Sequence, residues 1–278
     1  MSLPVALVLA SAFLHALWNA LLRRHGDSRS TTAAVLCAVT VLSTLGVATA
    51  PSPWFASSSA VAWALASGLC EAGYFVTLGR ALHTATVGAV YPVSRGGALL
   101  VAWPISVALL GERLSWIGAA GAALVGAGLF AISFRRPERG VRDGLRWAMA
   151  SAVFVGAYSL IYKQALLAGA EPRALFSLSM LVALPLNLFW LREGLPRIWA
   201  TLRAHSATVA IAGAVSCASF WLYLFALKQG GAGALLTLRN TSVVFAQLFA
   251  WILGERPTRR QLAGAAVVVA GAMLLGLA

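Results

Sequence analysis

The feature that most constrains this 278-residue chain is an apolar stretch of helix length that occurs twice. The first copy, residues 88–113, is GAVYPVSRGGALLVAWPISVALLGER, and the second, residues 233–256, is GALLTLRNTSVVFAQLFAWILGER. Each copy opens with Gly-Ala, carries one arginine about two turns in, and closes with Leu-Gly-Glu-Arg before a further glycine-containing apolar segment. A repeated apolar unit of this kind predicts an internally duplicated membrane protein.

Composition supports a lipid environment, because 60% of the residues are hydrophobic, 10% are charged, and the mean hydropathy is +0.83. A soluble domain of this length needs far more charge to cover its surface. The net charge of +13 comes from basic residues that lie singly or in small groups between apolar segments. They are interpreted as topology anchors and contacts to anionic lipid headgroups, which argues against nucleic-acid binding.

About twenty apolar residues are needed for each helical crossing of a bilayer. The runs are continuously apolar rather than alternating, so an all-α integral membrane protein is expected and not a barrel. The first run has the length of a retained span rather than of a signal peptide. The sequence predicts ten transmembrane helices, near residues 3–22, 31–50, 59–80, 87–110, 115–134, 146–166, 174–191, 207–227, 233–253 and 260–277.

The expected organisation is a first five-helix repeat at 1–134, a basic linker at 135–145 and a second five-helix repeat at 146–278. Because five is odd, the second repeat enters the membrane from the opposite side, which makes the repeats inverted. In such proteins the substrate site lies near the midplane between the repeats. Basic residues concentrate in the odd-numbered connections, so the positive-inside rule places those connections in the cytoplasm and both termini outside.

Ionisable residues inside a membrane span are functional candidates, because a charge at the bilayer centre is costly. Glu71 in the third span and Arg95 in the fourth lie at similar depths from the same side, so the two can form a pair. One interpretation is a static ion pair. The other makes Arg95 a clamp for a substrate anion, with Glu71 as its resting partner or as a cation or proton site.

Arg239 is the counterpart of Arg95 in the second copy, and Asn240 follows it. The residue aligned with Glu71 is Ser216, so the depth argument provides no acid for Arg239. An unpaired buried guanidinium is expensive. Arg239 is therefore expected either to face a wet cavity or an anion, or to bond backbone carbonyls.

His15, Trp18 and Asn19 share one face of the first predicted helix. His15 is either an interhelical hydrogen-bonding residue or a group that responds to protons, since histidine titrates near neutral pH. Aromatic residues of other spans either line the same cavity or act as packing and interface anchors. These aromatic residues are Tyr74, Tyr91, Tyr158, Trp221 and Tyr223.

Two small-residue patterns are interpreted as structural. In residues 111–113 the glycine ends a helix, Glu112 interacts with the positive N-terminus of the next helix, and Arg113 reaches the headgroups. A four-residue spacing predicts the close-packing face of the fifth span, formed by Gly118, Ala122 and Gly126.

Signatures of enzymes were sought and not found. The sequence has no Gly-x-Ser-x-Gly, His-Glu-x-x-His or Walker motif, and it has few acids for a metal site. The three cysteines are isolated within apolar runs and are interpreted as small buried hydrophobic residues. No catalytic activity, cofactor or metal is therefore predicted.

The two Gly-Glu-Arg units with their following glycines, and the His15-Ala-Leu-Trp-Asn19 segment, give the chain a resemblance to the drug/metabolite transporter superfamily, within it to the ten-helix EamA group. The resemblance implies a bacterial inner-membrane permease that exports amino acids or other small metabolites through a central cavity. The residues that the resemblance places at this central cavity are His15, Trp18, Asn19, Glu71, Tyr74, Tyr91, Arg95, Tyr158, Trp221, Arg239 and Asn240.

The chain departs from the resemblance in two ways. Four-helix relatives keep a glutamate in their first helix, where this chain offers His15, so proton antiport stays open. Ten-helix relatives are described with cytoplasmic termini, opposite to the orientation that the basic residues indicate.

The expected function is alternating-access transport of a small metabolite with an anionic group, by a monomer or homodimer in the bilayer. The alternatives are efflux of apolar or cationic compounds coupled through Glu71, and a non-transporting membrane subunit such as a lipid-carrier flippase partner or a sensor.

Overall fold

The computed structural model describes residues 2–22, 28–84, 90, 92–113, 115–133, 141–191, 195–252, 254 and 258–277. Over these residues the chain is helical and contains no β-strand. The α-helices are α1 (Leu3–Leu22), α2 (Ser28–Val47), α3 (Ser58–Thr84), α4 (Gly97–Leu110), α5 (Trp116–Ser133), α6 (Val141–Leu167), α7 (Pro172–Leu191), α8 (Leu195–Ala204), α9 (Ser206–Gln229), α10 (Ala232–Arg239), α11 (Ser242–Ile252) and α12 (Arg259–Leu277). A π-helical turn at Pro92–Gly96 leads into α4.

Eight helical segments in the described part of the chain are long and apolar enough to cross a membrane, as expected for an all-α integral membrane protein. They correspond to eight of the predicted spans. The fifth predicted span appears as a shorter apolar helix, Trp116–Ile132. The ninth is divided into α10 and α11, which are each too short to cross alone.

Two predicted connections contain helical residues. The link between the seventh and eighth spans contains α8, a short amphipathic helix whose Ile198 is buried while Leu195 and Trp199 are exposed. The guanidinium of Arg203 lies 4.9 Å from the centroid of the Trp199 ring. Helix α6 begins at Val141, within the predicted linker, and the linker residues 135–140 lie outside the described residues.

Helices from the two predicted repeats pack extensively against each other. The most extensive packing joins α3 with α6, α5 with α12, and α1 with α9. Helix α3 also packs on α7, and α2 packs on both α7 and α9. The elements that carry the polar candidates therefore meet in the interior of one helical bundle.

The interface between α5 and α12 depends on pairs of facing glycines. An ideal Cβ at Gly128 would lie 2.7 Å from the carbonyl oxygen of Gly264, and one at Gly121 would lie 2.8 Å from that of Gly271. The backbones therefore touch at two levels. The prediction is wrong for Gly126, because a Cβ there would meet nothing within 4 Å. The contact follows a seven-residue spacing, which returns to the same face after two turns.

Glu112 caps a different helix from the predicted one. Gly111, with φ 65°, ends α4 as expected, but the Glu112 carboxylate accepts hydrogen bonds from the backbone N–H groups of Ala232 and Gly233, at the start of α10. The next helix along the chain already has a cap, since Ser115 Oγ accepts the N–H of Gly118. Glu112 therefore joins the first predicted repeat to the second.

Candidate functional site

In both predicted repeats the fourth span is irregular where it carries its arginine. Arg95 lies in the π-helical turn that starts at Pro92, and proline has no backbone N–H to continue an α-helix. Arg239 is the last residue of α10, and two turn residues separate it from α11. There the Thr241 hydroxyl donates to the Leu238 carbonyl at 2.7 Å, a side-chain bond that competes with the helix.

The Arg95 side chain is held by His15. A terminal guanidinium nitrogen lies 2.9 Å from His15 Nε2, and both side chains are buried. On the other side of the ring, Trp18 Nε1 lies 3.2 Å from His15 Nδ1. The π-helical turn is also joined to α6, because Ser94 Oγ and Ser151 Oγ are 2.8 Å apart. The predicted face of α1 thus meets the predicted arginine of the fourth span.

Arg239 lies in an aromatic cage and is 1% exposed. Its guanidinium carbon is 4.3 Å from the centroid of the Phe220 ring and 4.2 Å from that of Tyr223. None of its three side-chain nitrogens has a hydrogen-bond partner among the described residues, and neither has the buried side-chain amide of Asn240. This segment therefore concentrates hydrogen-bonding groups that described protein atoms do not satisfy.

Glu71 is also 1% exposed, but it is hydrogen-bonded. Ser179 Oγ donates to Glu71 Oε2 at 2.8 Å, and the Tyr162 hydroxyl donates to Ser179 Oγ at 3.1 Å. The predicted Glu71–Arg95 pair is not formed, because α7 supplies the partner of Glu71 and α1 supplies that of Arg95. In the described part of the chain, ion pairs join Arg146 with Asp143 and Arg173 with Glu171, near helix ends.

The charged groups lie close enough to act on one another. The charge of Arg239 acts on Glu71, on His15 and on Tyr158. The Tyr158 ring makes edge contacts with Tyr74, at a centroid distance of 6.0 Å, and with Tyr162, at 5.7 Å. The candidates that the structure brings together in this central cluster are His15, Trp18, Glu71, Tyr74, Arg95, Tyr158, Arg239 and Asn240.

Three of the site residues predicted from the sequence are not part of the central cluster as the structure describes it. The Asn19 amide donates to the His15 carbonyl of its own helix at 2.7 Å. Trp221 packs on α2, where an ideal Cβ at Gly46 would lie 2.3 Å from its ring. Tyr91 lies outside the described residues. Sequence reasoning also missed Phe220, Tyr162 and Ser179, although Tyr162 follows Tyr158 by one helical turn and so shares its face. It did single out Tyr223, whose ring forms part of the Arg239 cage.

The interior next to the central cluster is nearly closed. A cavity of about 20 Å³ lies between α1, α2, α7 and α9, bordered by Trp18, Phe176 and Phe220. A cavity of about 330 Å³ lies at the end of the bundle that contains Glu112, with Trp103, Arg113 and Ala234 in its wall. The larger cavity has the volume of a small-molecule site, whereas the smaller one holds about one water molecule.

The described residues contain no group of three or more His, Cys, Asp or Glu side chains placed to hold a metal ion. What the central cluster offers is two buried guanidinium groups, one imidazole, one carboxylate and several hydroxyl groups. This combination is suited to binding a polar ligand and exchanging hydrogen bonds with it.

Comparison with known proteins finds a family match over just under half of the chain. Residues 143–277 match the model of the EamA-like transporter family. A solved structure titled "Crystal structure of protein" superimposes with a TM-score of 0.75 at 19% sequence identity, over 99% of this chain and 96% of that chain. At this identity the likeness shows the fold alone. None of the curated proteins matches the chain in sequence.

Proposed function

The chain carries an EamA-like transporter family domain, consistent with the drug/metabolite transporter superfamily, and on that basis we propose that it transports a small metabolite bearing an anionic group. The proposed mechanism is alternating access, in which the central cluster faces each side of the membrane in turn. The observation that carries the proposal is the state of Arg239, a buried guanidinium without a hydrogen-bond partner among the described residues.

The cage of Arg239 favours an anionic ligand. The rings of Phe220 and Tyr223 stabilise the cation through its faces, but cation–π contacts leave the N–H donors in the guanidinium plane unused. A carboxylate or phosphonate accepts two of these donors side by side. Asn240 offers an amide donor and an amide acceptor next to it. An amino acid fits this arrangement, with its carboxylate on Arg239 and its ammonium on the Asn240 oxygen.

The proposed architecture is two inverted five-helix repeats, and the helix pairing supports it. Exchanging the repeats converts the α1–α9 contact into the α6–α3 contact, and it leaves the α2–α7 and α5–α12 contacts in place. The irregular fourth spans, each interrupted at its arginine, are a second matched feature. Interrupted helices at a repeat interface are typical of substrate sites in secondary transporters.

The proposed location is the bacterial cytoplasmic membrane, with the basic connections in the cytoplasm. In this orientation the end that contains Glu112 and the larger cavity faces outward. Arg80 belongs to the opposite end, where its guanidinium lies 4.5 Å from the Trp147 ring and 5.0 Å from the Trp190 ring. A cation between two tryptophan rings at this position suits the lipid headgroup region.

The proposal is tested with purified protein and a panel of amino acids, simple carboxylates and phosphonates. A ligand that binds the folded protein raises its melting temperature, and the best ligand is then used for flux measurements in proteoliposomes. Arg239→Gln is expected to weaken binding at least tenfold, because it removes a charge-assisted pair worth about 1.5–3 kcal/mol. Arg80→Gln is the matched control, since it also removes an arginine between aromatic rings. Equal affinity in wild type and Arg239→Gln would refute the anion role.

A second candidate, efflux of apolar or cationic compounds, depends on Glu71 as the carboxylate that receives the ligand. The small cavity next to it is lined mainly by apolar side chains, including Phe75 and Met180. This alternative predicts that a cationic compound stabilises the wild type and that Glu71→Gln abolishes the effect. A chain that none of these compounds stabilises, and that copurifies with another membrane protein, would instead favour the non-transporting subunit.

A further inference from the structure

We infer that His15 is the proton-binding residue of this transporter, and that a proton and the anionic substrate bind together because Arg95 connects the two. The inference rests on the proposed function. It adds the coupling ion and the residue that carries it.

The hydrogen bonds around His15 define its protonation state. Arginine donates and never accepts, so the short contact between Arg95 and His15 Nε2 requires a lone pair on Nε2. A neutral imidazole has one such lone pair, and its other nitrogen carries the proton. The Trp18 N–H, which also only donates, faces that other nitrogen at 3.2 Å. Two donors therefore point at a ring that can accept one of them.

A protonated ring is incompatible with this arrangement. An imidazolium has an N–H on both nitrogens and no acceptor, so its N–H at Nε2 would point directly at an Arg95 N–H group. Adding a proton to His15 therefore requires Arg95 to move away from the ring. The neutral ring accepts one of the two donors that face it and the protonated ring accepts neither, so the contacts favour His15 as the neutral acceptor of the Arg95 guanidinium, at the shorter distance.

Binding of an anion draws the Arg95 guanidinium away from His15. A guanidinium bonds a carboxylate more strongly than a neutral imidazole, because both partners then carry charge. When the anion takes the Arg95 N–H donor, the Nε2 lone pair becomes free and accepts a proton from hydronium. One N–H bond forms at Nε2, one O–H bond of hydronium breaks, and water leaves. The anion is then next to both the Arg95 guanidinium and the new imidazolium, which lowers the repulsion between these two cations.

The charges around the ring also favour binding of the proton together with the anion. Arg95 from the π-helical turn and Arg239 from α10 act on His15, and both are positive. From α9 the uncharged Phe220 ring lies 6.4 Å away, between centroids. Helix α11 has no ionisable side chain, and Cys37 of α2 does not act on the ring. Among the described residues no carboxylate acts on the ring, so an incoming anion supplies negative charge next to an imidazolium and each ligand raises the affinity of the other.

The first experiment needs no ligand. Nitrogen-15 spectra of histidine in nanodiscs distinguish the two neutral tautomers from imidazolium, and the His15 signals are the ones lost in His15→Gln. Wild type is expected to show a neutral ring with an unprotonated Nε2 at pH 7 and at pH 6. Arg95→Gln is expected to show imidazolium at pH 6, and Arg80→Gln to match wild type. Imidazolium in ligand-free wild type, or identical spectra in wild type and Arg95→Gln, would overturn the inference.

The second experiment measures protons directly. Acetate and benzoate stay ionised near neutral pH, so calorimetry in two buffers of different ionisation enthalpy reports the protons that the protein takes up with each anion. Wild type is expected to take up close to one proton per anion. In His15→Gln, whose amide oxygen still accepts from Arg95 but cannot be protonated, binding should persist without uptake. His205→Gln, outside the cluster, should behave as wild type.

The outcomes separate the two proposals. Binding of a carboxylate without proton uptake in wild type contradicts the role of His15 and leaves the transporter proposal intact. Absence of binding to any anion contradicts the anion site, while the ligand-free spectra still decide whether Arg95 controls the protonation of His15.

Discussion

Single residues inside the bundle show how the fold satisfies a buried carboxyl group. Glu71 is not neutralised by a direct ion pair. It accepts a hydrogen bond from Ser179, which in turn accepts one from Tyr162. Both donors in this chain are oriented towards the carboxylate, so the hydroxyl dipoles stabilise the charge. The charge of Arg239 adds to this at longer range.

Loss of the Ser179 hydroxyl should therefore destabilise the protein more than loss of a neighbouring hydroxyl that bonds an uncharged group. Ser179→Ala removes a donor to a buried carboxylate and is expected to destabilise the protein by about 2–3 kcal/mol. Ser177→Ala is the matched control two residues earlier on the same helix, where the serine hydroxyl bonds the Thr44 hydroxyl at 3.1 Å. Its expected cost is about 0.5–1.5 kcal/mol. Thermal unfolding in detergent measures both, and a larger loss for Ser177→Ala would contradict this account.

The ionisable members of the site could be selected from the sequence, whereas their partners could not. His15, Glu71, Arg95 and Arg239 are conspicuous because a charged or titratable group is rare within an apolar run. Depth along the membrane predicts similar levels for Glu71 and Arg95, but it does not specify which helices are neighbours. The contact of His15 on α1 with Arg95 gives Arg95 a partner on a third helix, and that information is tertiary.

At the scale of helices, the sequence predicts where the long regular helices lie, but it does not predict where a helix is interrupted. The length of the apolar runs is enough to locate every long helix. The division of the ninth span depends on Thr237, Asn240 and Thr241. Polar side chains of this kind hydrogen-bond the backbone and compete with the regular helix hydrogen bonds, as the two threonine hydroxyls do here. Helix α8 was missed for a similar reason, because its few apolar residues lie among arginines and give it the composition of a loop.

The facing glycines of α5 and α12 lead to a prediction about one helix pair. Gly128→Ala places a methyl group against the backbone of α12, at 2.7 Å from two of its atoms, so the helices must separate. The expected destabilisation is about 1–3 kcal/mol, typical of overpacking. Gly126→Ala lies on the same helix and meets open space, so it should be neutral or slightly stabilising through its higher helix propensity.

Melting temperatures of the two variants, measured in the same detergent, provide the comparison. Equal melting temperatures would mean that α5 and α12 do not touch through their backbones at this level. Gly264→Ala tests the same contact from the other side, since its Cβ would lie 2.8 Å from the backbone nitrogen of Ile132.

Over the whole molecule, side chains from both predicted repeats fix the connection between α9 and α10. Lys163 donates to the carbonyl oxygens of Leu227 and Gly230, at 2.8 Å and 2.9 Å, and so caps the end of α9. Glu112 belongs to the first predicted repeat and caps the start of α10, where the helix dipole favours a carboxylate. Alternating access requires at least one such contact between the repeats to break in each cycle.

Glu112 is therefore expected to keep this end of the bundle closed. Glu112→Ala removes the acceptor for two N–H groups of α10, so conformations that are open at this end should become more populated. The readout is the rate at which a membrane-impermeant thiol reagent labels Ala234→Cys, which lines the cavity beside Glu112, after Cys37, Cys70 and Cys217 are replaced by alanine.

The matched control is Glu171→Ala. Glu171 also caps a helix start on this side, accepting the N–H groups of Arg173 and Ala174 at 2.7 Å and 3.0 Å, but that helix belongs to its own predicted repeat. The described contacts of the Glu171 carboxylate all lie within this repeat, although its partner Arg173 also donates to Thr49 of the first predicted repeat. Loss of this cap therefore lowers stability without directly removing a bond between the repeats. Glu112→Ala should therefore accelerate labelling severalfold while Glu171→Ala leaves it unchanged. Equal rates in both variants would mean that the Glu112 cap is purely structural, and that the closure of this end depends on other contacts between the repeats.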